Sequence, residues 1–285
     1  MKKIILGLVL LLVAQNVQAK DCETLKCPAP YDLTSGFSRG VSTVTGQNFL
    51  AERIGESLTK KAIKKNITSG DVKVKLDSFS TRDLKAGRFK SLEIIGKNAN
   101  VQGVYISSFD AKTLCNFNYV APDKKGNYIV KEDIPLSFEA EITEDDLNKT
   151  MQSSDYKRMI DDLNGITGGL NLFEITSTRV KLRNNKMYYV MNYAIPFVRK
   201  TKQLVISADL KVENNKILLA NTNFMNNTMS LDVDKLSRLF NYINPLDFSA
   251  KILENKEAKF SVETVKISDG KIKIDGKATI LKDKE

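Results

Sequence analysis

Glu144-Asp145-Asp146 and Asp161-Asp162 are two groups of carboxylates, each close enough in sequence for its members to act together. Such a pair can serve as general acid and base, or offer oxygen ligands to a divalent cation. Their setting predicts neither. Thr143 and Asp146 have capping-box spacing, so the first group falls in the first turn of a helix, where acids complement the helix dipole. The second lies on the polar side of a helix that Gly165, Gly168 and Gly169 are expected to end. The chain contains no histidine. A Ser-His-Asp triad, a Cys-His pair and a His-ligated zinc site are thereby excluded. No phosphate-cradling loop, EF-hand loop or serine elbow is present. The expectation is a protein that is not an enzyme, with no catalytic residue, metal or cofactor.

Other residues point to binding. Phe138, Met151, Met159, Met187, Tyr189, Met191 and Tyr193 are large flexible or aromatic side chains that could line an adaptable apolar pocket; they also fill ordinary cores. In Ile195-Pro196-Phe197-Val198-Arg199-Lys200-Thr201-Lys202 an apolar pair sits beside basic residues between two strands. At a hairpin tip, Phe197 and Val198 would enter a membrane interface while Arg199, Lys200 and Lys202 meet phosphates. The competing reading is a solvated basic turn. Cys22 and Cys27 are candidates for a small disulfide loop in an oxidising compartment. Cys115, in an apolar-polar run, reads as a buried free thiol.

These residues must be positioned by the elements around them. Lys2 and Lys3, the apolar run from Ile4 to Ala14, and Val17-Gln18-Ala19 predict a signal peptide over residues 1–19, and hence export to the periplasm or envelope of a bacterium. Residues 20–46 read as an extended or poorly ordered lead-in. A helix is expected over 47–66, from Leu50, Ile54, Leu58 and Ala62 recurring four apart. Amphipathic strands follow around 72–76, 89–95, 101–107, 114–120 and 136–142, then helices over 143–152 and 155–164. Strands resume over about 173–183, 186–196, 203–213, 216–224, 258–268 and 271–281. Asn184-Asn185, Asn214-Asn215 and Ser268-Asp269-Gly270 mark hairpin turns. A second strand-to-helix unit is expected over 229–243, with Leu231, Leu236 and Phe240 on its apolar side. The chain is α+β with meandering antiparallel strands, and residues 47–283 read as a single domain. The formal net charge of +10 favours anionic headgroups or acidic glycans, or is simply a Lys-rich surface.

Several segments carry a family resemblance. They are Asp71-Val72-Lys73-Val74-Lys75-Leu76, Gly87-Arg88-Phe89-Lys90-Ser91-Leu92-Glu93-Ile94, the Thr143-to-Met151 unit, and Ser268-Asp269-Gly270-Lys271-Ile272-Lys273-Ile274-Asp275-Gly276-Lys277-Ala278. In order and spacing the chain resembles the LmeA-like phospholipid-binding proteins. The resemblance implies a long curved antiparallel sheet wrapped around an N-terminal helix, with short helices after strands and a cavity for acyl chains. The expected apolar lining is Leu50, Ile54, Leu58, Phe138, Ile142, Leu147, Met151, Met159, Tyr189, Met191, Leu236 and Phe240. The expected partners are a phospholipid or other amphiphilic lipid and an anionic membrane surface, with no nucleic acid; the sequence sets no oligomeric state. The competing reading is a non-catalytic structural or assembly module of the envelope with a filled core.

Overall fold

The structure is a computed structural model that describes residues 25–36, 52, 53, 55–57, 59, 60, 67–122, 128–169, 173–198, 200–225, 239–253, 258–268 and 270–283. Strict alternation builds the first strand, β1 (Ser69–Ser78): Val72, Val74 and Leu76 are buried while Lys73 and Lys75 face water, the period of a half-buried strand. After a short helix, α1 (Thr81–Lys85), come β2 (Arg88–Val101), β3 (Val104–Thr113), β4 (Asn118–Pro122), β5 (Tyr128–Val130) and β6 (Ile134–Thr143). Two helices, α2 (Glu144–Met151) and α3 (Ser154–Gly169), lead to β7 (Glu174–Arg183), β8 (Lys186–Ala194), β9 (Lys202–Glu213) and β10 (Lys216–Phe224). The chain closes with α4 (Pro245–Leu253), β11 (Ala258–Ser268) and β12 (Lys271–Ile280).

The strands form two antiparallel sheets, not one long one. The large sheet runs β11-β12-β6-β3-β2-β4-β5, with β1 also on β2; the small sheet runs β10-β9-β8-β7. β12 pairs along the whole of β6, so the last hairpin returns to the first sheet. Register makes one apolar face of the large sheet: Val74, Ile94, Ala111 and Phe138 lie on successive strands of one row. Two glycines let large rings lie flat on that face. A Cβ on Gly96 would sit 2.0 Å from the Phe109 ring, and one on Gly276 would sit 2.7 Å from the Phe138 ring. A glycine inside a strand here has a packing cause.

The inward faces of both sheets join one apolar core. At its centre Tyr156 of α3 donates to the Ile243 carbonyl at 2.6 Å and shares a 2.8 Å hydrogen bond with Tyr189 of β8. Burial raises both phenols well above their ordinary value, so they stay neutral.

Three expectations need correction. The strands expected at 101–107 and 114–120 are differently bounded: β2 continues to Val101, turns at Gln102 and Gly103, and returns as β3. Both turn residues have positive φ, 52° and 87°, and glutamine is a poor marker of that conformation. The glycines after Asn164 do not stop the helix, which runs to Gly169; Asn164 anchors it from the side instead, through both backbone groups of Ile175. The disulfide joins Cys27 to Cys115. Cys27 therefore does not pair with Cys22, which lies outside the described residues, and Cys115 is not a free thiol.

The pairing follows from how the lead-in docks. Tyr31 packs its ring 5.1 Å from Phe117 and donates to Glu132 at 2.7 Å. Burial and the Glu132 carboxylate push its phenol up to about 12. Asp32 bonds Arg88, and Thr34 gives its N–H and hydroxyl to Asp83 at 2.8 and 2.9 Å. Residues 25–34 are thus a strap without regular structure, tied across β4 and α1.

Among the residues expected in the first helix, Glu52 and Glu56 are described, are helical, and lie beside β1. Glu52 accepts from the Ser78 N–H at 2.8 Å and Glu56 from the Leu76 N–H at 3.1 Å. These contacts place the described helical residues beside an edge strand, and the expected wrapping of a sheet around the helix is not among them.

Candidate functional site

β8 is apolar on both faces. Met187, Tyr189, Met191 and Tyr193 point into the core, while Tyr188 and Val190 point outward and are half-buried. Val190 lies between Arg179 of β7 and Val205 of β9, and Tyr188 lies between Lys181 and Ser207. These residues help line a cleft of about 1390 Å³ on the outward side of the small sheet. Met151 and Ile160 add apolar surface from α2 and α3.

The helices are held there by the edge of β7. An edge strand presents unpaired backbone groups, and side chains of both helices satisfy them. Glu144 accepts from the Leu182 N–H at 2.9 Å. Asn148 accepts from the Val180 N–H at 3.0 Å and donates to the Val180 carbonyl at 2.9 Å. Asn164 does the same for Ile175, at 2.7 and 2.9 Å. The sequence starts α2 at that point through a complete capping box: Thr143 accepts from the Asp146 N–H at 3.1 Å and Asp146 from the Thr143 N–H at 2.9 Å.

Cations outnumber acids in the cleft lining, four against Glu144 and Asp161. Arg179, Lys181 and Arg183 alternate on one face of β7, and Lys157 of α3 joins them in the lining. Among the described residues none of these four makes an ion pair. Of the lining acids, Glu144 is engaged by the Leu182 amide. Toward the other end Asn192 donates to Ser177 at 2.8 Å and accepts from Gln203 at 3.1 Å. Apolar floor, basic side and polar end suit an amphiphile with an anionic head. The volume exceeds the roughly 300–1,000 Å³ of a small-molecule pocket.

A family model described as LmeA-like phospholipid-binding matches residues 46–277. The chain belongs to the LmeA-like phospholipid-binding family. Neither a curated protein nor a solved structure matches it. Lipid binding is thus what membership in the LmeA-like family supports, and the sequence-derived residues can be placed against it.

Phe138, Ile142, Leu147, Tyr189, Met191 and Phe240 are buried in the shared core, each at 2 % exposure or less. Met159 is half-buried and packs against that core. Met151 belongs to the core and also lines the cleft. Leu50, Ile54, Leu58, Leu231, Leu236 and Arg199 lie outside the described residues. The carboxylates are accounted for locally: Asp146 caps α2, Asp145 pairs with Lys149 at 2.6 Å, and Asp161 lines the cleft while Asp162 is exposed. Ile195 to Thr201 connect β8 to β9, so Phe197 and Val198 do stand at a hairpin tip.

Sequence reasoning missed Arg179, Lys181, Arg183, Tyr188, Val190 and Val205. Two signals were available. Three basic residues at alternate positions share one strand face, and a strand apolar on both faces needs cover on both.

Proposed function

We propose that this is an exported phospholipid-binding protein that holds its ligand in the cleft over the small sheet. Acyl chain lies along Tyr188, Val190 and Val205, and the phosphate of the headgroup meets Arg179, Lys181 and Arg183. Burying an acyl chain is favourable by about 0.8 kcal/mol per CH₂, and guanidinium groups match phosphate geometry. The protein works at an anionic membrane surface, toward which its positive charge draws it, in lipid transport or envelope maintenance. It acts without catalysis.

The carrying observation is the run of basic side chains that make no ion pair among the described residues, beside an apolar floor. The test is lipid extraction from natively purified protein with identification by mass spectrometry. Co-purifying phospholipid, lost when Arg179→Glu and Lys181→Glu are combined, is the expected result. A second reading has its own support: the closed packing of Phe138, Ile142, Leu147 and Phe240 favours a filled structural module of the envelope. Absence of any co-purifying lipid would select it.

A further inference from the structure

The β8–β9 tip carries an observation that the cleft does not use. Phe197 is 102 % exposed and Val198 44 % exposed. A large apolar side chain held wholly in water at a loop tip gains nothing for the fold. Its backbone also stands at φ 67°, a region that non-glycine residues enter at a cost and that Asn or Gly would occupy more easily. The turn is closed by the Val198 N–H donating to the Ile195 carbonyl at 3.0 Å. Phe197 is thus presented outward by a defined turn that follows Pro196. Lys200 is exposed just beyond it and Lys202 is half-buried at the start of β9.

We propose that this tip is the membrane-docking element, with Phe197 and Val198 entering the interface of an anionic bilayer and Lys200 and Lys202 resting on its phosphates. Apolar side chains flanked by lysines are what an interfacial anchor requires. The placement joins the tip to the cleft. Asn192 and Gln203, which line the cleft, form the last rung but one of the β8–β9 ladder. A bilayer met by the tip therefore faces the polar end of the cleft, from which Arg179, Lys181 and Arg183 run along β7 in that order. The inference rests on the phospholipid-binding reading and gives that site an entrance.

The chain contains no tryptophan, so Phe197→Trp creates a single reporter. With phosphatidylglycerol vesicles its emission moves to shorter wavelength and is shielded from an aqueous quencher. Emission unchanged by vesicles overturns the proposal. In a flotation assay on the full chain, Phe197→Asn with Val198→Ser loses vesicle binding by roughly tenfold or more, while Asn at the left-handed position preserves the fold. Unreduced flotation overturns the proposal. Binding of a soluble short-chain phosphatidylglycerol separates the two readings. If that binding is absent while vesicle docking still depends on Phe197, the docking element stands and the cleft reading falls.

Discussion

On the outward face of the large sheet, lysines meet acids across the strands. Lys75 pairs with Glu93 at 2.7 Å, Lys271 with Glu141 at 2.7 Å and Lys277 with Glu263 at 2.5 Å. On the outward face of the small sheet, Arg179 and Lys181 meet Val190 and Tyr188 instead. Both faces are rich in cations, and the small sheet has pairs of its own, Lys186 with Asp209 at 2.8 Å and Lys211 with Glu213 at 2.5 Å, but the β7 cations Arg179, Lys181 and Arg183 make no ion pair among the described residues. Cross-strand pairs of opposite charge give a sheet face modest stability. A row of cations beside apolar side chains gives none, and leaves charge to be met from outside. The molecule thus divides into a sheet that supports and a sheet that presents a ligand surface.

The largest effect should come from the supporting side. The Cys27–Cys115 bond spans 88 residues, a loop whose closure limits the unfolded chain strongly. Replacing both cysteines with serine should cost about 2–5 kcal/mol, read from urea unfolding. Lipid binding per folded molecule should not change. If lipid binding fell with the fold intact, the large sheet would be part of the site and the division would break.

Next is the edge on which the cleft wall is built. Asn148→Ala leaves the Val180 N–H and carbonyl without their partner. Each buried group left unsatisfied costs about 1–3 kcal/mol. The loss should appear in unfolding, together with weaker lipid binding as α2 loosens from β7. Glu52→Ala at the corresponding edge of β1 should lower stability alone.

The fold was legible in the sequence where the code is short-ranged. Alternation gave β1 and β6, and asparagine pairs gave the turns at Asn184-Asn185 and Asn214-Asn215, all four at positive φ. Thr143 and Asp146 gave the capping box. What was illegible depends on pairings distant in sequence. Nothing local says that β12 returns to β6, that Cys27 reaches Cys115, or that helix side chains close the edge of β7. The site was legible only in part for the same reason. Methionines and aromatics of β8 read as a lining, but lining and core have one composition. The residues that distinguish the cleft, Arg179 and Lys181, differ from other surface cations in the helix side chains and apolar strand residues that share one cleft with them.

That difference sets the third prediction. Arg179→Glu should weaken binding of anionic phospholipid about tenfold, from the loss of a charge-assisted contact, and the loss should shrink at high salt. Lys75→Glu or Lys277→Glu on the other face should leave it unchanged. Equal effects from both faces would reduce the site to overall charge.

A smaller effect should follow acidification. Burial pushes the Asp83 carboxyl up, but hydrogen bonds from Ser80 and Thr34 and the Arg88 charge outweigh it and hold the group below its ordinary value of 3.8. A depressed carboxyl contributes stability above its unfolded value, and that contribution is lost as pH falls through the folded one. Strap stability should therefore decline below about pH 3.8. Asp83→Asn should flatten that part of the unfolding profile.

The smallest expected effect probes the weakest point of the large sheet's outward face. Asp110 is pushed above its ordinary value, first by burial and then by Glu93 and Glu139, with Lys75 and Lys112 opposing. The sign is the reverse of that at Asp83. A raised carboxyl is a cost to the folded state once pH exceeds the unfolded value, and the cost disappears below it. Asp110→Asn should thus stabilise the protein at neutral pH by no more than about 0.5 kcal/mol, with the gain absent below about pH 3.8. Lipid binding should not respond, because the residue stands on β3 of the large sheet and does not line the cleft. A change in lipid binding with Asp110→Asn would mean that the outward charges of the two sheets are coupled through the shared core.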